Sequence, residues 1–328
     1  MSTPVIPAET RRRPFLGQTE LVGLGVLAIL LAGRWIVPLL DHPVLQTWNT
    51  IFLAIVIQSV PFLVMGVVLS GAISVLLSER VLTKVVPRNA ALGVPVAGVA
   101  GIGLPGCECA AVPIAGSLMR RGVVPAVALT FLLAAPAVNP AVIVSTAVAF
   151  PGRPEMVWAR FLASMATAVI VGWICLARGA RLPLRLPSFH ADETVGKGRQ
   201  FVSAVRHDFL HAVGFLIIGA MLAAAINTIV PASLVDTVAG QALLGVLFLA
   251  AFAFFVALCS ESDAFVAASL TAFSDTAKLV FLVVGPAMDV KLASMETGTF
   301  GSAFSRQFVP LVLVTAVLAA VGMGALLL

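Results

Sequence analysis

Charge is scarce in this chain, and tyrosine is missing altogether. Asp, Glu, Lys and Arg make up 11% of 328 residues, 60% are hydrophobic, and mean hydropathy is +1.09. Soluble domains carry about 25% charge and about 45–50% apolar residues. A soluble fold of this length cannot hide so much apolar surface, so lipid must be the solvent for much of the chain. Cysteine is limited to Cys107, Cys109, Cys175 and Cys259. None lies in a long polar loop, which argues against a disulfide scaffold. No Walker A motif exists: Lys197 follows Gly196 without the upstream Gly, so this chain carries no ATPase of its own. G-x-S-x-G and H-E-x-x-H are also absent, and nothing marks an enzyme or a bound cofactor. The net charge of +5 sits in short clusters between apolar runs, not in a stripe with aromatics, so nucleic acid is not the expected partner.

What the chain does have is long apolar runs. A helix needs about 20 such residues to cross the hydrocarbon core. Clear candidates are 21–40, 50–78, 123–150, 156–177, 208–231, 276–298 and 305–327. The stretches 91–119 and 239–273 are interrupted by GIGLPGCEC and CSESDA, and each half is short for a crossing. Both read as re-entrant hairpins, tolerated at membrane depth only inside protein or against a water-filled cavity. Trp35, Trp48, Trp158 and Trp173 fall near the ends of apolar runs, as an interfacial belt would place them. Arg11, Arg12 and Arg13 resemble a twin-arginine signal slightly, but suit a cytoplasmic anchor for the first helix better.

The chain also repeats itself. PFLVMGVVLSGAI from Pro61 answers GFLIIGAMLAAAI from Gly214, CECAAVPIAGSL from Cys107 answers CSESDAFVAASL from Cys259, and AAPAVNP from Ala134 answers VGPAMDV from Val284. The offsets are 153, 152 and 150 residues. With the N-terminus inside and 91–119 as a hairpin, Arg80, Lys84, Arg88, Arg120, Arg121 and the basic loop from Arg178 to Arg206 all fall on the cytoplasmic side. The two repeats then start on opposite sides, the inverted arrangement of many secondary transporters. The expectation is an all-α polytopic protein of the cytoplasmic (inner) membrane. It would comprise a cytoplasmic basic segment (1–20), an extra transmembrane helix and loop (21–49), repeat one (50–177), a cytoplasmic linker (178–207) and repeat two (208–328).

Inverted symmetry would bring the two hairpin tips together near the midplane. The first carries Cys107, Glu108 and Cys109; the second carries Cys259, Glu261 and Asp263. Intramembrane carboxylates are functional candidates by default, and thiolates select soft centres. Two cysteines at i and i+2 share a side only in an extended segment, so shared ligation by Cys107 and Cys109 requires a non-helical tip. A tetrahedral zinc site would need ligands that are not nearby. Cys175, alone in a span, reads as an apolar filler. The second pair of breaks places Pro136 and Asn139 opposite Pro286 and Asp289, with Lys291 able to pair with Asp289. Pro136 and Asn139 join the three cysteines as candidate substrate contacts; Glu108, Glu261, Asp263, Asp289 and Lys291 are the candidate coupling residues. Gly98, Gly101, Gly103 and Gly106 suit close helix packing more than phosphate binding.

GCECAAVPIAGSLMRRGVVPAVALTFLLAAPAVNPAVI, CSESDAFVAASL and GPAMDVK together resemble the ArsP-type predicted permeases, a family that includes organoarsenical exporters. The likeness runs from about residue 50 to the end. It implies that Cys107, Cys109 and Cys259 bind a trivalent arsenical; Glu108 stands where family members often have the Ser of a Cys-Ser-Cys motif. The expected function is a proton- or ion-coupled permease exporting such a soft solute across the bilayer, with room for a homo-oligomer. The alternatives are a permease for a sulfur-containing or other small anion and, less favoured, a membrane thiol oxidoreductase.

Overall fold

Every regular element among the described residues is helical. The computed structural model describes residues 43–76, 89–103, 108–179, 183–184, 197–229 and 241–328. The expected basic segment and first span, the cluster Arg80, Lys84 and Arg88, Cys107, and most of the basic linker lie outside them. The chain forms two compact units, 1–47 and 48–328, and the second holds every site residue discussed below.

The helices are α1 (Pro43–Leu76), α2 (Ala90–Ala100, running into a 3₁₀ turn at Gly101–Gly103), α3 (Glu108–Arg120), α4 (Pro125–Ala134), α5 (Pro140–Ala149) and α6 (Pro154–Arg178). They continue as α7 (Lys197–Ile229), α8 (Ala242–Val256), α9 (Asp263–Ser269), α10 (Asp275–Ala287), α11 (Val290–Phe300) and α12 (Ser302–Leu327). Four segments, Pro43–Ala72, Pro154–Arg178, Gly198–Ala225 and Ser302–Leu327, are long and apolar enough to cross a membrane. Their outer faces carry exposed Ile57, Leu210, Val314 and Leu318, an apolar surface that water would not tolerate over this area.

Two expected single spans are each divided. Residues 123–150 form α4 and α5, because Pro136 and Pro140 bring no N–H to a continuous ladder and the backbone leaves the helix between them. Asn139 then caps α5: its side chain accepts a bond from Val142 N at 2.9 Å, with Pro140 at the first helical position. Residues 276–298 form α10 and α11, with Pro286 inside the last turn of α10 and no proline at the start of α11. Met288 and Asp289 are extended, and Asp289 accepts from Leu292 N. Helix α7 starts at Lys197, before the apolar run at 208, because Lys, Arg and Gln are good helix formers and extend the helix beyond its apolar part.

Taken in order, α1–α6 and α7–α12 present one pattern: a long helix, two short helices, two half-helices, and a long helix. The half-helices α4 and α10 form the centre. Ala126 through Ala134 and Ala277 through Ala287 are buried without interruption, and apart from Lys278 both runs are uncharged, as expected of helices enclosed by others. Helices α6 and α12 pack on each other and on α10. Close approaches at glycine bring the long helices onto the short ones. A Cβ at Gly66 of α1 would stand 2.5 Å from Ala110 Cα, and one at Gly219 of α7 would stand 2.7 Å from Lys291 Cα. These two glycines occupy matching places in the sequence repeat.

Candidate functional site

Four of the short helices start at or just after a polar residue. Glu108 opens α3, Asn139 precedes α5, Asp263 opens α9 and Asp289 precedes α11. Helix starts leave N–H groups unpaired, and an acid or amide there satisfies some of them. The local chemistry of chain breaks therefore delivers acids to the interior.

Packing gathers most of these residues. Lys291 Nζ donates to Glu108 Oε1 at 2.7 Å and lies 3.6 Å from Asp289 Oδ2. All three residues are buried. Ser260, in the break between α8 and α9, donates to Glu108 Oε2 at 3.3 Å. The carbonyl of Ser260 accepts from Arg160 Nη2 at 2.8 Å, and Arg160 Nη1 donates to Thr146 Oγ1 of α5 at 2.7 Å. One continuous set of contacts thus joins α3, α5, α6, α11 and the α8–α9 break. Asp263 abuts α10 so closely that a Cβ at Gly285 would meet its Oδ2 at 2.7 Å. That oxygen, Asp289 Oδ2 and Arg160 Nε are buried without a hydrogen-bond partner among the described residues. The break itself turns at Ala257, which holds φ 52°, a left-handed conformation rarely adopted by a residue with a side chain.

The cysteines follow from these contacts. Cys109 and Cys259 are free and buried, and they are the chain neighbours of Glu108 and Ser260, which touch. Cys109 also lies within electrostatic reach of Lys291. Cys259 donates through Sγ to Glu261 Oε2 at 2.6 Å. Cys109 stands in the first turn of α3, so it is helical where shared ligation with Cys107 would want an extended segment; Cys107 lies outside the described residues. Pro136 is buried in the turn between α4 and α5. Glu261 is half-buried at the edge of the group. No cluster of three metal-ligating side chains occurs among the described residues.

Arg160, Ser260, Thr146 and Glu296 were not anticipated. Arg160 and Glu296 had a signal in the sequence, since each is a charge inside an apolar span. Ser260 and Thr146 had none, because hydroxyls are common in such helices. Arg160 lies within electrostatic reach of Asp263 and Glu261, and Lys291 of Glu108 and Asp289. An excess of carboxylate in a low-dielectric interior is relieved by protons or by a bound cation.

Two further sets of ion pairs among the described residues lie away from this group. Arg120 Nη2 reaches Asp208 Oδ2 at 2.9 Å, and that oxygen also accepts from Ser70 at 2.7 Å. Arg153, at the start of α6, reaches Asp275 at 2.8 Å and Glu155 at 3.2 Å. Its hydrogen bond holds the Asp275 carboxyl below the usual carboxylate range.

A family model described as "Predicted permease" (ArsP_1) matches residues 44–324. The chain belongs to this family of membrane permeases. The ArsP_1 match takes in every residue of the buried group. Among relatives, the "UPF0718 protein YcgR" of Bacillus subtilis (strain 168) is 35% identical over 286 residues, covering 85% of this chain and 96% of the relative. A Streptococcus mutans serotype c protein, named as a candidate "two-component membrane permease complex subunit", is 32% identical over 267 residues, covering 79% and 89%. No solved structure matches the chain. Membership in ArsP_1 and the apolar helices together make this a multi-pass membrane permease.

Proposed function

We propose that this ArsP_1 permease is a proton-coupled secondary exporter of a soft, thiophilic solute, with a trivalent organoarsenical as the first choice. The observation that carries the reading is the Glu108–Ser260 contact. It sets Cys109 and Cys259 on either side of one junction, beside carboxylates that outnumber their cations. Thiols supply reversible bonds to a soft centre, and the acids supply proton exchange as the site changes exposure. Cys107 joins them as a third thiol, with Pro136 and Asn139 shaping the same region.

In this reading the two sets of six helices are inverted repeats that rock about the buried group, and the break at 257–262 is the tip of a re-entrant hairpin; the matching tip expected at GIGLPGCEC lies largely outside the described residues. The packing is reciprocal, which supports it. Helix α3 of the first set packs on α11 of the second, and α9 of the second packs on α5 of the first. The N-terminus then lies in the cytoplasm, and the basic clusters share that side.

The test is accumulation of methylarsenite in everted membrane vesicles energised with a proton gradient. The parent is compared with a Cys107→Ser/Cys109→Ser/Cys259→Ser variant at equal expression. Uptake by the parent alone supports thiol-dependent export. Equal uptake by both sinks the thiol site and leaves the small-anion permease standing. The Streptococcus relative's name makes a second component worth including. The purified chain is therefore also reconstituted alone, and activity in vesicles but not after reconstitution indicates a required partner subunit.

A further inference from the structure

Glu296 belongs to neither the buried group nor the ion pairs. It sits in the middle of α11, is 0% exposed, and neither carboxylate oxygen has a hydrogen-bond partner among the described residues. A charged carboxylate in that setting is untenable without a cation, and no grouping of metal ligands surrounds it among the described residues. A carboxylic acid there is tolerable. The same volume filled by Met or Leu would cost less, so packing does not account for an acid at this position.

The position has a direction. Glu296 follows Asp289 by seven residues, which is two helical turns and about 10 Å along one face of α11. Thr299 and Phe300 continue that face one turn further and are buried. Helix α3 runs alongside in the same sense. Glu108 meets Lys291 at the start, and at Gly116 an added Cβ would lie 3.5 Å from Thr299 Cγ2 and 3.7 Å from Arg120 Nη1. Arg120 in turn holds Asp208 of α7. Glu296 therefore stands between the buried group and the Arg120–Asp208 pair. The charged and titratable groups around this line are Asp289 and Lys291 on its own helix, Glu108 and Arg120 on α3, Asp208 on α7, and Cys175 on α6, which lies within electrostatic reach of Glu296. Helix α8 contributes none, and Arg306 of α12 and Arg206 and His207 of α7 are exposed.

We infer that Glu296 is a proton carrier, holding a proton in the structure seen here and passing it between the buried carboxylates and the Arg120–Asp208 end when water enters along α11. The step is ionisation of the carboxylic O–H and its reversal; only a proton moves. This rests on the permease reading for its purpose, but not for the protonation itself.

The experiment has two arms, on the full chain in native-like membranes. The first is infrared difference spectroscopy near neutral pH, parent against Glu296→Gln. The expected result is a protonated-carboxyl band present in the parent and lost in the variant; no lost band overturns the proposal. The second compares net methylarsenite accumulation driven by a proton gradient with methylarsenite exchange at equal pH on both sides. Glu296→Gln should keep exchange and lose net accumulation by about tenfold or more, the size of an ordinary coupling between two bound species. Glu296→Asp should restore part of it. Accumulation within about twofold of the parent, or joint loss of exchange and accumulation in a folded variant, overturns the carrier role. A parent that moves no methylarsenite sinks the choice of solute, and the proposal is then decided by the infrared band.

Discussion

Lys291 and Glu108, 183 residues apart, form a buried ion pair at 2.7 Å. The bond ties the start of α3 to the start of α11. Lys291 also touches Asp289, at 3.6 Å. One ammonium thus serves two carboxylates, and it is the charge that allows both acids to sit inside. Replacing it should be costly in a specific way.

Lys291→Met leaves Glu108 and Asp289 without their cation. Removing one partner of a buried pair typically costs about 3–5 kcal/mol, because the other charge is left uncompensated. The double variant Glu108→Gln/Lys291→Met should recover a substantial part of that loss. Thermal unfolding in detergent, read as a double-mutant cycle, measures the coupling. A coupling below about 0.5 kcal/mol would mean that the pair contributes little, as exposed pairs do.

Arg160 is the second buried cation, and its geometry is more exacting. Nη1 and Nη2 diverge to Thr146 and to the carbonyl of Ser260. A guanidinium makes both bonds from one rigid fork, whereas an ammonium is a point charge on a flexible stem. Arg160→Lys should therefore behave nearly as Arg160→Met in transport, although the charge is kept. Export assays at matched expression decide this, and full activity in Arg160→Lys would assign Arg160 a purely electrostatic part.

The class and the interruption at CSESDA were legible in the sequence, but the connections between elements were not. Apolar run length marked the membrane helices, and Asn139 and Asp289 were visible as polar residues beside prolines. The division of 123–150 and 276–298 into half-helices needed the backbone, because proline in an apolar run is compatible with either a bend or an end. Lys291 was matched to Asp289 through their spacing. Its shorter bond to Glu108 spans 183 residues and has no local signature. Arg160 and Glu296 were readable by the rule that a charge in a span needs a reason, yet the pattern of repeats drew attention to other residues.

Gly219 and Gly66 test the packing that surrounds the site. An added methyl at Gly219 would press on the Lys291 backbone, and one at Gly66 on Ala110, two residues past Glu108. Backbone cannot rotate away as a side chain can. Gly219→Ala and Gly66→Ala should each destabilise by about 1–3 kcal/mol, the usual cost of overpacking. Gly214→Ala, with nothing within 4 Å, serves as the control and should stabilise by about 0.5–1 kcal/mol, because Ala is the better helix former. Unfolding midpoints of the three variants give the comparison.

The Arg153–Asp275 pair yields a pH dependence whose sign is fixed. Its hydrogen bond to Arg153 lowers the Asp275 carboxyl from its ordinary value, and Lys278 at 3.7 Å adds to this. A carboxyl lowered by folding stabilises the folded chain at pH above its unfolded value, near about 3.9. That contribution is lost as pH falls through the lowered value. The parent should thus be more stable than Asp275→Asn at neutral pH, and the two should converge under acid. The difference should be small, about 1 kcal/mol or less, because both side chains remain a third exposed and the pair is screened. Unfolding of both proteins in detergent from about pH 7 to about pH 3 gives the two curves. A gap that persists under acid would mean that the substitution acts through packing at the start of α10 rather than through charge.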